Sequence, residues 1–147
     1  MFKHSRSIFL AASSFLMMTA APPALSAEPA GPDKYVMQIS DMDPAKQERI
    51  LNNARNVLDA YPPGEVEVEV VAYGPGVRML FDSNVNAKRI DSLAQSGVKF
   101  SACGNTLKGM TKLMGETPKL NPAATIVPAG VVRIGQLSKQ DYIYIKP

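Results

Sequence analysis

From Lys34 to Pro147, short apolar runs alternate with amphipathic stretches, and turn residues close each change. No other feature limits the fold as strongly. Successive strands joined through helices lie parallel, because each connection must cross back over the sheet. Right-handed crossovers are close to obligatory, so a chain advancing one way across the sheet stacks its helices on one face.

Lys34–Ile39 predicts the first strand. Asp43-Pro44 then offers an N-cap followed by proline at the first helical position. Ile50, Leu51, Ala54, Val57 and Leu58 recur on one helical face, and Tyr61-Pro62-Pro63-Gly64 ends that helix. Glu65–Tyr73 (EVEVEVVAY) is the clearest strand. Val66, Val68, Val70 and Ala72 face one way; Glu65, Glu67, Glu69, Val71 and Tyr73 face the other, with the glutamates on a solvated surface. After Gly74-Pro75-Gly76, Val77–Phe81 predicts a short helical turn. Ala87, Ile90, Leu93 and Ala94 mark a second helix closed by Gly97. Val98–Cys103 predicts the third strand, and Gly104-Asn105-Thr106 leads into a helix packing Leu107, Met110, Leu113 and Met114 on one side. Thr125–Val127 is a fourth strand. Pro128-Ala129-Gly130 opens a helix carrying Val131, Ile134 and Leu137, and Tyr142–Ile145 closes the chain as a fifth strand in which Tyr142 and Tyr144 pack.

Ahead of this domain, residues 1–27 have the form of a secretory signal peptide. Lys3 and Arg6 give a basic start, Ile8–Ala21 is apolar, and Ala24-Leu25-Ser26-Ala27 offers small residues for cleavage. The apolar run is shorter than the ~20 residues that span a bilayer. Cleavage after Ala27 or Ser26 implies a periplasmic or secreted protein with no stable membrane insertion, a flexible lead-in over residues 28–33, and a domain over residues 34–147. The leader holds two of the 16 Lys and Arg and none of the 13 Asp and Glu, so the net charge falls from +3 to +1. With no clustered basic run, the mature chain lacks the electrostatic footprint of a nucleic-acid binder.

The leader also holds the single histidine, His4. A mature chain without histidine cannot form a Ser-His-Asp triad, a Cys-His dyad or a histidine-ligated metal site. The single cysteine, Cys103, excludes an internal disulfide and a multi-cysteine zinc site. No cofactor and no metal is expected.

Ligands on parallel sheets of this kind bind beyond the carboxyl ends of the strands. Those ends are Ser40-Asp41, Gly74-Pro75-Gly76, Cys103-Gly104-Asn105 and Pro128-Ala129-Gly130. Cys103 therefore stands where a helix N-terminus favours a thiolate, and Gly104 would let a small anion approach the backbone. Gly74, Gly76, Gly104, Asn105, Thr106, Pro128, Ala129 and Gly130 are the candidate binding residues around it. A buried cysteine filling space is the alternative, as part of an oligomeric module that binds a small anion or a partner. An oxidised dimer through Cys103 is a third possibility. Gly74-Pro75-Gly76 lacks the spacing of a nucleotide loop and reads first as a turn. Met110 and Met114, at i and i+4, read as core packing rather than a copper site.

Four segments resemble the DsrE/DsrF-like family: Val71–Val77 (VAYGPGV), Gly97–Leu107 (GVKFSACGNTL), Val127–Val131 (VPAGV) and Gln140–Pro147 (QDYIYIKP). The resemblance implies a three-layer α/β/α fold with a five-stranded parallel sheet ordered 4-3-2-1-5, and homo- or hetero-oligomers. It also implies that Cys103 occupies the place of the cysteine that carries persulfide sulfur in the family's relay members. A sulfur donor or acceptor protein would then be a partner. In that strand order three helices share one face and the fourth stands alone on the other. A sheet roughly 19–24 Å wide exceeds the ~10 Å that one helix covers. The expectation is an oligomer contact on that open face, with the glutamates at its wet part and Val71 and Tyr73 at the contact.

Overall fold

A computed structural model describes residues 31–147. The expected leader and the lead-in as far as residue 30 lie outside the described residues. Five strands form one parallel sheet: β1 (Asp33–Ile39), β2 (Val66–Ala72), β3 (Lys99–Cys103), β4 (Ala124–Val127) and β5 (Ile143–Ile145). Their order is β4-β3-β2-β1-β5. The helices are α1 (Pro44–Ala60), α2 (Ala87–Gln95), α3 (Gly104–Met114) and α4 (Gly130–Ser138), with a 3₁₀ turn at Gly74–Leu80. No helix among the described residues is long and apolar enough to cross a membrane.

Local chemistry explains the boundaries. Asp43 accepts the Ala45 N–H at 2.9 Å as the α1 N-cap, with Pro44 opening the helix. Gly97, just past α2, has φ 103°, a left-handed conformation that glycine adopts without strain. At Gly76 a Cβ would stand 2.4 Å from the Ile39 carbonyl oxygen, so only glycine lets the 3₁₀ turn close over the end of β1.

The two faces of the sheet differ. Against α1, α2 and α3 lies the main core, which includes Met37, Ile50, Leu51, Val68, Val70, Met79, Leu80, Ile90, Leu93 and Phe100. Under α4 lies a smaller core of Val36, Val71, Leu137 and Tyr142, joined by Ile134. Beyond α4 the second face stays open over β3 and β4, at a cavity of about 520 Å³ bordered by Lys99, Ser101, Thr125, Val127 and Arg133.

Several expectations need correction. The glutamates of β2 do not share one solvated face: Glu65 is exposed, Glu67 is half-buried and Glu69 is 1% exposed. Val71 is fully buried beneath α4 and cannot serve a subunit contact. Leu113 and Met114 stand out in solvent rather than in the core; Leu113, about a third of a turn around α3 from the buried Leu107, is 89% exposed. Met110 does pack on the main core, whereas Val131 on α4 is exposed. Tyr142 is buried, but Tyr144 is exposed while bonding Gln38 through its hydroxyl.

Candidate functional site around Cys103

Cys103 ends β3 and is the N-cap residue of α3. Its register partner on β4 is Val127, and the chain then turns through Pro128 and Ala129 into α4. Two helix N-termini therefore meet at one thiol. Each presents backbone N–H groups without intrahelical partners and the positive end of a helix dipole. Neither Cys103 nor Ala129 caps its helix with a side-chain hydrogen bond.

The glycines allow this approach. A Cβ on Gly130 would stand 3.0 Å from the Tyr73 Cβ and 3.4 Å from the Cys103 Cβ. One on Gly104 would stand 3.1 Å from the Val127 carbonyl oxygen. The Asn105 N–H donates to the Pro128 carbonyl at 3.2 Å and ties the α3 start to the α4 start. Gly74, with φ 51°, donates its N–H to the Thr106 hydroxyl oxygen at 3.0 Å. That bond occupies an oxygen lone pair and leaves the Thr106 proton free to point at the sulfur.

Cys103 is a free thiol with 6% of its surface exposed. Burial pushes its pKa up. Hydrogen bonding by the Thr106 hydroxyl and by the backbone N–H groups of Gly130, Thr106 and Asn105 outweighs that, and the thiol is held below its ordinary value. The activation comes from neutral donors and helix ends, with no cationic side chain among its causes.

The structure thus brings Cys103, Gly104, Asn105, Thr106, Pro128, Ala129, Gly130 and Gly74 to one place. Gly76 belongs to the packing over β1.

The pattern of the DsrE/DsrF-like family matches residues 33–147. The chain belongs to that family. DsrE/DsrF-like proteins are linked to sulfur relay, and the fold of this member agrees with solved structures. A protein of unknown function from Methanobacterium thermoautotrophicum is similar at 28% identity and a TM-score of 0.71, over 78% of this chain and 99% of that one. A conserved protein of unknown function from Bacteroides thetaiotaomicron shares the fold at 14% identity and a TM-score of 0.54, over 78% of this chain and 95% of that one. No curated protein matches this DsrE/DsrF-like chain.

Sequence reasoning missed one part of the surroundings. Glu69, behind the site on β2, accepts two hydrogen bonds from Arg133 of α4, at 2.8 and 2.6 Å, and one from Ser101 at 2.7 Å. The pull of Glu69 raises the Arg133 pKa further above its ordinary value. Beside it, Glu67 is held below the usual carboxylate range by the Tyr142 hydroxyl and by Lys99. Tyr142 is pushed up to about 12, first by burial and then by Glu67. The strand alternation placed these carboxylates on the second face, and Arg133 at the start of a helix was the one signal that a partner could reach them.

Proposed function

We propose that this protein is an exported sulfur carrier in which the Cys103 thiolate accepts sulfane sulfur and holds it as a persulfide. The observation that carries this is the thiol itself, buried, yet held below its ordinary pKa by the Thr106 hydroxyl and the backbone N–H groups at two helix N-termini. A depressed pKa enlarges the thiolate fraction at any given pH, and the thiolate is the nucleophile. With inorganic polysulfide as donor, Cys103 Sγ forms a new S–S bond to a donor sulfur. The donor S–S bond breaks, and its electron pair leaves on the shortened polysulfide. The transfer needs no base and no outside redox agent. The persulfide anion would meet the same N–H groups.

The test is intact mass after polysulfide treatment and removal of excess donor. The expected result is a mass gain of about 32 Da per sulfur atom, reversed by a thiol reductant and absent in Cys103→Ala. An unmodified protein, or a gain that persists in Cys103→Ala, rejects the proposal.

Export rests on the apolar run Ile8–Ala21 and the small residues that follow it. Cell fractionation with N-terminal sequencing should find a mature chain beginning near Glu28; an uncleaved cytoplasmic chain would refute export. Self-association belongs to the same proposal. With Val71 buried, its supporting surface is the unpaired outer edge of β4, where Ile126 is 60% exposed, together with Val132 on α4 at 55% exposure. A monomer by light scattering at micromolar concentration would reject it.

A further inference from the structure

Gly130, the first residue of α4, lies against Cys103 so closely that a Cβ on it would stand 3.4 Å from the Cys103 Cβ, and its N–H is among the groups that lower the thiol pKa. That donor is only as well placed as the first turn of α4. Apolar packing does little to fix this turn. Val131 and Val132 are more than half exposed, and the apolar anchors of α4, the partly buried Ile134 and the fully buried Leu137, both lie beyond the first turn. The N-cap residue Ala129 offers no side-chain bond.

One side chain of that turn does reach into the sheet. Arg133 closes the first turn by donating its backbone N–H to the Ala129 carbonyl at 3.0 Å. Its guanidinium grips Glu69 through Nε at 2.8 Å and through an Nη at 2.6 Å. Glu69 lies on central strand β2 and is 1% exposed, while the Ser101 hydroxyl of β3 holds the oxygen that accepts from Nε. Such a two-pronged bond fixes orientation as well as distance. A buried ion pair is a poor source of net stability, since desolvation cancels much of its attraction. Its contribution here is geometric.

We propose that Glu69 and Arg133 are positioning residues, a clamp that registers the first turn of α4 on β2 and β3 and so aims the Gly130 N–H at Cys103. This rests on the assignment of Cys103 as an activated thiolate. Neither residue touches the sulfur. The chain from carboxylate to thiol runs Glu69, Arg133, the Ala129 carbonyl, Gly130, Cys103.

The test is the thiol titration, followed by thiolate absorbance in the full domain. Arg133→Met alone would strand the buried Glu69 charge, so the informative variant is the double change Glu69→Gln with Arg133→Met. It leaves no buried ion and keeps a partner for Ser101. The expected result is a folded protein whose thiol titrates about half a unit to one unit above wild type. Arg133→Lys, which keeps the charge but loses the fork, should fall between the two. Tyr142→Phe breaks the bond to Glu67 on the same face and should leave the titration in place.

A folded double variant that titrates with wild type overturns the clamp, as does an equal shift in Tyr142→Phe. If the double variant does not fold, Arg133→Lys decides alone, and an unshifted thiol overturns the proposal. If wild type itself titrates at the ordinary thiol value, the thiolate assignment fails. Hydrogen exchange at the Gly130 amide then still judges the clamp, which predicts faster exchange in Arg133→Lys and is refuted by no change.

Discussion

The two faces of the sheet solve different problems. The face under α1, α2 and α3 is filled by Met37, Ile50, Leu51, Val70, Ile90, Leu93 and Phe100, all buried to 1% exposure or less. It does what apolar close packing does: it holds the fold together and has no chemistry. The face under α4 has a core of only four fully buried or nearly buried residues, Val36, Val71, Leu137 and Tyr142. It relies instead on Glu67, Glu69, Ser101, Lys99, Arg133 and Tyr142, whose bonds are directional. Cys103 stands where the faces meet at the carboxyl ends of the strands. The contrast teaches that stability and aim are separable here, because the apolar side supplies the first and the polar side the second.

Mutations can break that contrast. Phe100→Ala should have the largest effect, a loss of about 3–5 kcal/mol from a fully buried aromatic on the filled face. Chemical denaturation should show it, and a loss no larger than that of Leu137→Ala would refute the asymmetry. Leu137→Ala should cost about 2 kcal/mol, the low end for such a change, since its small core borders an open surface that can relax.

At the junction, Thr106→Val should cost about 1–3 kcal/mol, because the Gly74 N–H loses its acceptor. It should also raise the thiol pKa, because the Thr106 hydroxyl is the donor that lowers it most. An unchanged titration in a folded Thr106→Val protein would show that its hydroxyl does not act on the sulfur.

Tyr142→Phe should be the mildest, about 1 kcal/mol at neutral pH, and it carries a pH signature. Glu67 has a lowered folded pKa, so its contribution is present above the ordinary carboxylate value and is lost as pH falls through the folded value. Tyr142 is first among the causes of that lowering. The stability gap between wild type and Tyr142→Phe should therefore shrink on the acid side, and a gap that widens there would contradict the assignment.

How much of this was legible follows the same division. The parallel sheet, its strands and the α1 cap came through because they are written locally, in alternation, in Asp43-Pro44 and in Gly97. The address of Cys103 was legible for the same reason, since a strand end followed by Gly104-Asn105-Thr106 is a local pattern. The strand order came from the family resemblance. Glu69 was misread because alternation assigns a face but not what covers it; its partner Arg133 is 64 residues away in the chain. Val71 was misassigned for that reason too, as α4 lies over it. Leu113 and Met114 were grouped with Leu107 and Met110 by apolar spacing, but spacing does not reveal how far along and around the helix the packing reaches.

The central claim is that Cys103 is an activated thiol held by two helix N-termini. The most direct measurement is the rate of iodoacetamide alkylation of the native protein as a function of pH. The account predicts one modified site, Cys103, with an inflection below the ordinary thiol value of about 8.5. An inflection at or above that value, or a thiol that reacts only after denaturation, would contradict it.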